Sequence, residues 1–78
     1  MEKNYKQMVV FGQRMKTLRK ERKLKQVELA DILGYTIRQY QRMEYGEINV
    51  PSLTLIKLAD YFGVTTDYLL GRSEERGK

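Results

Sequence analysis

The sequence holds no cysteine and no histidine. Without cysteine there are no disulfides and no thiolate metal sites, which fits a reducing, cytoplasmic setting. Without histidine there is no imidazole base, no conventional triad and no usual structural zinc site. Ser52 and Ser73 are the serines present, and neither has a histidine to activate it. The side-chain inventory therefore argues against an enzyme, and no metal or cofactor site is expected. No apolar run approaches the ~18 residues of a membrane span, and no apolar signal segment opens the chain, so neither membrane insertion nor export is expected.

The 78 residues are enough for one domain with a small core, and a hydrophobic content of 41% favours folding over disorder. The net charge of +5 is unevenly spread. Residues 1–25 carry nine Lys/Arg against two acids, whereas residues 26–78 carry six against eight. A basic field confined to one end points to an anionic partner, nucleic acid first.

The most informative stretch is QVELADILGYTIRQYQRME, Gln26 to Glu44. Leu29, Ala30 and Leu33 repeat with helical spacing, and Gly34 is suited to the left-handed turn that ends a helix. Thr36 and Gln39 form a T-x-x-Q capping box, so a second helix opens there. Tyr40 and Met43 face inward. Ile37, Arg38, Gln41 and Arg42 remain outside. The pair reads as a helix-turn-helix.

Residues 1–8 show no period and read as an N-terminal arm or a frayed first turn. From about Val9 a helix is expected, with Phe11, Met15 and Leu18 inward and Lys16, Arg19, Lys20 and Lys23 on the other side. Leu24 is expected to plug the corner that follows. Lys25 stands where a capping residue belongs and cannot cap, but Glu28 places an acid near the positive helix end. Gly46 can stop the third helix, and Pro51 limits the start of the fourth. Leu55, Leu58, Ala59 and Phe62 give the fourth helix its stripe. Gly63 ends it, and Val64 packs back. Thr65 caps a short fifth helix holding Tyr68, Leu69 and Leu70, which Gly71 ends. The resulting expectation is an all-α, five-helix globule over residues 9–70, with a charged, flexible tail over 71–78. Its core is expected from Phe11, Met15, Leu18, Leu24, Leu29, Ala30, Leu33, Tyr40, Met43, Leu55, Leu58, Ala59, Phe62 and Leu69.

The segments LRKERKLKQVELADILGYTIRQYQRMEYG and LIKLADYFGVTTDYLLGR resemble the phage-repressor-type, or xenobiotic-response-element, helix-turn-helix family. The resemblance implies a lambda-repressor-like five-helix domain whose third helix enters the major groove of double-stranded DNA. It also implies that Gln26 contacts a phosphate and braces the reading helix, and that Arg19 pairs with Glu44 beneath it. Lys25, Tyr35 and Tyr40 depart from the family pattern.

Candidate base contacts are Ile37, Arg38, Gln41 and Arg42. An arginine fork matches the O6 and N7 acceptors of guanine, and Ile37 suits a thymine methyl. Against these stand blander roles: phosphate binding or solubility for the arginines, packing at the helix entrance for Ile37, solvation for Gln41. Candidate phosphate contacts are Gln26, Lys25, Lys20, Lys23, Tyr45 and Asn49. Such lysines add salt-dependent affinity and no sequence preference. Tyr61 and Tyr68, with Ile48, Val50 and Ile56, are expected to form an apolar patch for an isologous homodimer. The function expected is a cytoplasmic prophage or bacterial repressor that binds an operator as a dimer. The alternative is an antitoxin or adaptor acting through a protein partner.

Overall fold

Gly34 adopts φ +80°, and with it α2 (Gln26–Leu33) ends and turns into α3 (Ile37–Glu44). The Tyr35 N–H returns to the Ala30 carbonyl at 2.9 Å, closing the last turn of α2. Thr36 Oγ1 then accepts from the Gln39 N–H, and the Gln39 side chain accepts from the Thr36 N–H, both at 3.1 Å. The glycine and the capping box thus fix both sides of the turn.

A computed structural model describes residues 3–77. Around the central pair lie α1 (Lys3–Glu21), α4 (Ser52–Phe62) and α5 (Thr66–Leu69), with no strand among the described residues. The fold is a five-helix, all-α domain, the architecture that the family resemblance implies. Helix α1 packs on α3 and α5, α2 on α3 and α4, and α4 on α5. One core joins them, built from Phe11, Met15, Leu18, Leu29, Ala30, Leu33, Tyr40, Met43, Leu58, Ala59, Phe62 and Leu69 as expected, together with Val64 and Tyr68.

Several expectations need correction. Leu24 is only half-buried and lies outside the core cluster; its carbonyl instead accepts from Arg19 Nη1 at 2.8 Å. Leu55 is half-buried against the core. Tyr68 is buried, which removes it from the expected surface patch, and Ile48, Val50 and Tyr61 are half-buried against the core. Of that patch Ile56 remains exposed, accompanied by Leu53 at 79% exposure.

Helix α1 begins at Lys3, within the segment expected as an arm. Tertiary contact explains the extension: Gln7, Met8 and Phe11 face Ile48, Asn49, Val50 and Leu70 across a small cavity of about 190 Å³. Gln7 also donates to the Leu70 carbonyl at 3.3 Å. At the other end of the chain, Arg14 donates to the carbonyls of Tyr68 and Ser73 at 3.0 and 2.9 Å. Arg76 forks onto Glu21 at 2.8 and 2.7 Å. The stretch 73–76 therefore lies along α1. Met1, Glu2 and Lys78, at the ends of the expected arm and tail, fall outside the described residues.

Two residues past the end of α1, a lysine takes the left-handed region: Lys23 has φ +59°. Its N–H reaches the Lys20 carbonyl at 2.9 Å, and the Leu24 N–H reaches the Arg19 carbonyl at 3.1 Å. This is a Schellman closure without the glycine that usually serves it. Further along α1, Gly12 passes directly over the end of α3, where any Cβ would run into the backbone carbonyl of Glu44.

Candidate nucleic-acid interface

A buried carboxylate holds α3 in place. Glu44, the last residue of α3, has a side chain 1% exposed. Arg19 reaches it from α1 with Nε at 2.9 Å and Nη2 at 3.2 Å. Tyr40, one turn back on α3, donates its hydroxyl at 2.5 Å, and Gln26 Nε2 donates from the start of α2 at 2.7 Å. Burial alone opposes the charge on Glu44, but these donors outweigh it and keep the carboxyl below the ordinary carboxylate range. Burial likewise works against the Arg19 charge, and the bond to Glu44 raises its pKa despite that. The Tyr40 phenol is pushed up, first by burial and then by the Glu44 bond, so it stays protonated and remains a donor. The Arg19–Glu44 pair that the family resemblance implied is thus present, and it is bidentate and buried. Tyr40 serves it as a polar core residue.

The same network gathers the ends of three helices. Lys20 follows Arg19 in the last turn of α1, Lys23 forms the left-handed turn, and Lys25 precedes Gln26. All three lysines are exposed. The α2 start is capped in one direction only: the Glu28 carboxylate accepts from the Lys25 N–H at 2.7 Å. Gln26 carries a further bond, since its Oε1 accepts from Gln41 Nε2 of α3 at 3.0 Å. Gln26 and Gln41, each expected to contact DNA separately, are joined to each other.

On α3, Arg38 and Arg42 are exposed and lie one turn apart. Arg38, Gln41, Arg42, Tyr45 and Glu47 line one open concavity. Ile37 begins the helix at 40% exposure but does not line that concavity. Asn49 is turned elsewhere: its Oδ1 accepts from the Val50 N–H at 3.0 Å, and the residue borders the cavity against α1. Arg38, Gln41, Arg42 and Tyr45 are thus brought together, and Asn49 is not among them.

Sequence reasoning missed Glu47. Its carboxylate lies 3.6 Å from Arg42 Nε, with both side chains about half exposed. The bond crosses the end of α3, where Gly46 turns the chain, so no helical spacing announces it. Sequence reasoning also missed the brace from α4, in which the Tyr35 and Thr54 hydroxyls meet at 2.7 Å. Tyr35, a departure from the family pattern, thereby ties the turn to the fourth helix.

The geometry is that of a short basic helix presented outward from a rigid base, and the sequence that builds it has known relatives. A family model described as helix-turn-helix matches residues 15–69. The SPbeta prophage-derived HTH-type transcriptional regulator YonR of Bacillus subtilis strain 168 is 39% identical over 61 residues, covering 78% of this chain and 56% of that protein. The HTH-type transcriptional regulator YqaE of the same strain is 38% identical over 68 residues, covering 86% of this chain and 59% of that protein. The chain thus spans a little over half the length of these relatives. No solved structure matches it significantly. No described helix is long and apolar enough to cross a membrane. The matched span takes in the buried Arg19–Glu44 pair and both helices of the turn, and the chain belongs to the phage-repressor-type helix-turn-helix family.

Proposed function

We propose that the chain is a sequence-specific, double-stranded DNA-binding transcriptional regulator, a prophage or bacterial repressor acting in the cytoplasm and not an enzyme. The observation that carries this reading is the outward face of α3. Arg38 and Arg42 stand exposed there, on a helix fastened from beneath by Glu44. Guanidinium forks on a helix narrow enough for the major groove match the acceptor edge of guanine. Family membership and the regulators named among its relatives support the same reading.

In this mechanism α3 lies in the groove, with Arg38 and Arg42 on base edges and Ile37 against a thymine methyl. Lys20, Lys23, Lys25 and Tyr45 hold phosphates. At Gln26 the amide is already bonded to Glu44 and Gln41, so the phosphate is met by the backbone N–H groups at the α2 start and the remaining amide proton. Two copies bind a pseudo-palindromic operator and exclude polymerase. The domain measures 30 × 28 × 20 Å across its Cα atoms, so two side by side suit half-sites ~34 Å apart. Leu53 and Ile56, exposed three residues apart on α4, are the apolar pair offered for the dimer contact.

The test is selection of binding sites from random duplex DNA, followed by mobility shifts across a salt series. A preferred sequence with two-fold symmetry, and affinity falling steeply with salt, is the expected result. Failure to enrich any sequence, with a stoichiometric protein partner recovered instead, would replace this reading by that of an antitoxin or adaptor.

A further inference from the structure

A cavity of about 190 Å³ opens between the start of α1, the loop that follows α3 and the end of α5. Protein interiors close up to crystal-like density, so a hollow of this size beside the buried ring of Phe11 is an exception. A dry cavity of comparable volume takes up a single benzene-sized ring. Five of the seven lining residues are apolar, and Phe11 and Met8 among them favour an aromatic occupant through ring and sulfur contacts. The other two are amides, Gln7 and Asn49. Gln7 Nε2 donates to the Leu70 carbonyl and Asn49 Oδ1 accepts from the Val50 N–H. Gln7 Oε1 and Asn49 Nδ2 are left without a partner among the described residues. No ionisable side chain lines the cavity among the described residues, so a charged occupant would lose hydration and gain no counter-charge.

The loop that forms one wall is fastened at its start. Gly46 lies so close to α1 that a Cβ there would stand 2.8 Å from the Val9 Cα. The Glu47 N–H donates to the Arg42 carbonyl at 2.9 Å, and the Glu47 carboxylate lies 3.6 Å from Arg42 Nε. Ile48, Asn49 and Val50 follow directly and line the cavity. An occupant therefore presses on the chain one residue from the group that holds Arg42. We propose that this cavity is a binding site for a small, neutral aromatic molecule bearing one hydroxyl or ring N–H, and that its occupancy is passed to Arg42 through Glu47. The ligand site stands apart from the DNA-binding reading. The effect on Arg42 deepens that reading, because Arg42 is one of its base contacts.

NMR of the full chain, labelled on nitrogen and on its methyl groups, tests this with indole as the probe and benzoate as a charged control of similar size. Indole should shift the methyl signals of Met8, Ile48, Val50 and Leu70 along one saturable curve. Half-saturation is expected at about 1 mM, the affinity that a ligand of roughly nine heavy atoms reaches at ordinary efficiency. Benzoate should bind about tenfold more weakly, although a chain of net charge +5 would favour the anion at an unspecific surface site. Val50→Phe should fill the cavity and abolish the shifts. Gln7→Phe, at an exposed position that folding tolerates, should do the same from the side of α1. Shifts that do not saturate, benzoate binding as well as indole, or undiminished binding by both filled variants overturns the site. The Arg42 Nε–H signal should move on the same curve as the methyls, and Glu47→Ala should at least halve that movement. An Arg42 signal that stays fixed while the methyls saturate overturns the link to α3. None of these readouts requires DNA, so they succeed or fail separately from the proposed function.

Discussion

Gly12 of α1 rests against the carbonyl of Glu44, with no room for a side chain between them. In an isolated helix, replacing glycine by alanine adds about 1 kcal/mol of stability. Here the added methyl meets backbone that has nowhere to yield. Gly12→Ala should therefore destabilise the domain by about 2 kcal/mol, in the range of overpacked cores. Urea denaturation decides the sign: a more stable variant would mean that α1 and α3 are not in this contact.

The buried pair behind that contact makes a second prediction. Removing one partner leaves the other charge buried, so Arg19→Ala should cost about 3 kcal/mol, and Glu44→Gln a similar amount. A loss near zero on chemical denaturation would refute the buried pairing.

Acid should act through the same carboxylate. The folded chain holds Glu44 below its ordinary value of 4.5, so the stability it contributes is complete above that pH. As the pH falls toward the lower folded value, the unfolded state takes up the proton first and the contribution is lost. Glu44→Gln should therefore show a shallower decline in stability below about pH 4.5 than the parent chain. Parallel acid limbs for the two proteins would contradict this.

Lys23 holds φ +59° where glycine would be at ease. Lys23→Gly should raise stability by about 1 kcal/mol through relief of the left-handed conformation. If Lys23 also contacts a phosphate, the same variant should bind DNA more weakly, with the salt slope smaller by about one unit. Thermal melts and salt titrations read the two effects separately.

On DNA, Arg38→Ala should change which base is favoured at one position, by about 1–3 kcal/mol. Lys20→Ala should weaken every site alike. A selected motif that is identical for Arg38→Ala and the parent would remove Arg38 from base reading.

The helices were legible because their punctuation is local. Gly34, Thr36, Gln39 and Thr65 each act within four residues, and each does in the structure what its spacing announces. The inward faces of α2 and α3 follow in the same way from periodicity. What escaped was set by distant partners. Gly12 reads as a weak point in a helix until α3 is laid across it. Residues 3–8 carry no period of their own, and their helix rests on contacts with the loop before α4 and with Leu70. Tyr68 looked like a surface tyrosine, yet Arg14 lies 4.3 Å from its ring centre and Leu69 beside it fills the core. At the candidate site, residue types pointed to Arg38 and Arg42. No sequence spacing could show that Gln26 and Gln41 bind each other, because 15 residues separate them.

Helix α3 has eight residues, too few to persist alone in water. Its capping box, the carboxylate at its end and Tyr40 beneath it are what keep it wound. It follows that α3 cannot melt while the rest survives, because unwinding it would strand the charge of Arg19 inside the globule. Amide protons in its middle should exchange with solvent only through whole-molecule opening, and a duplex should meet a surface already shaped before the encounter.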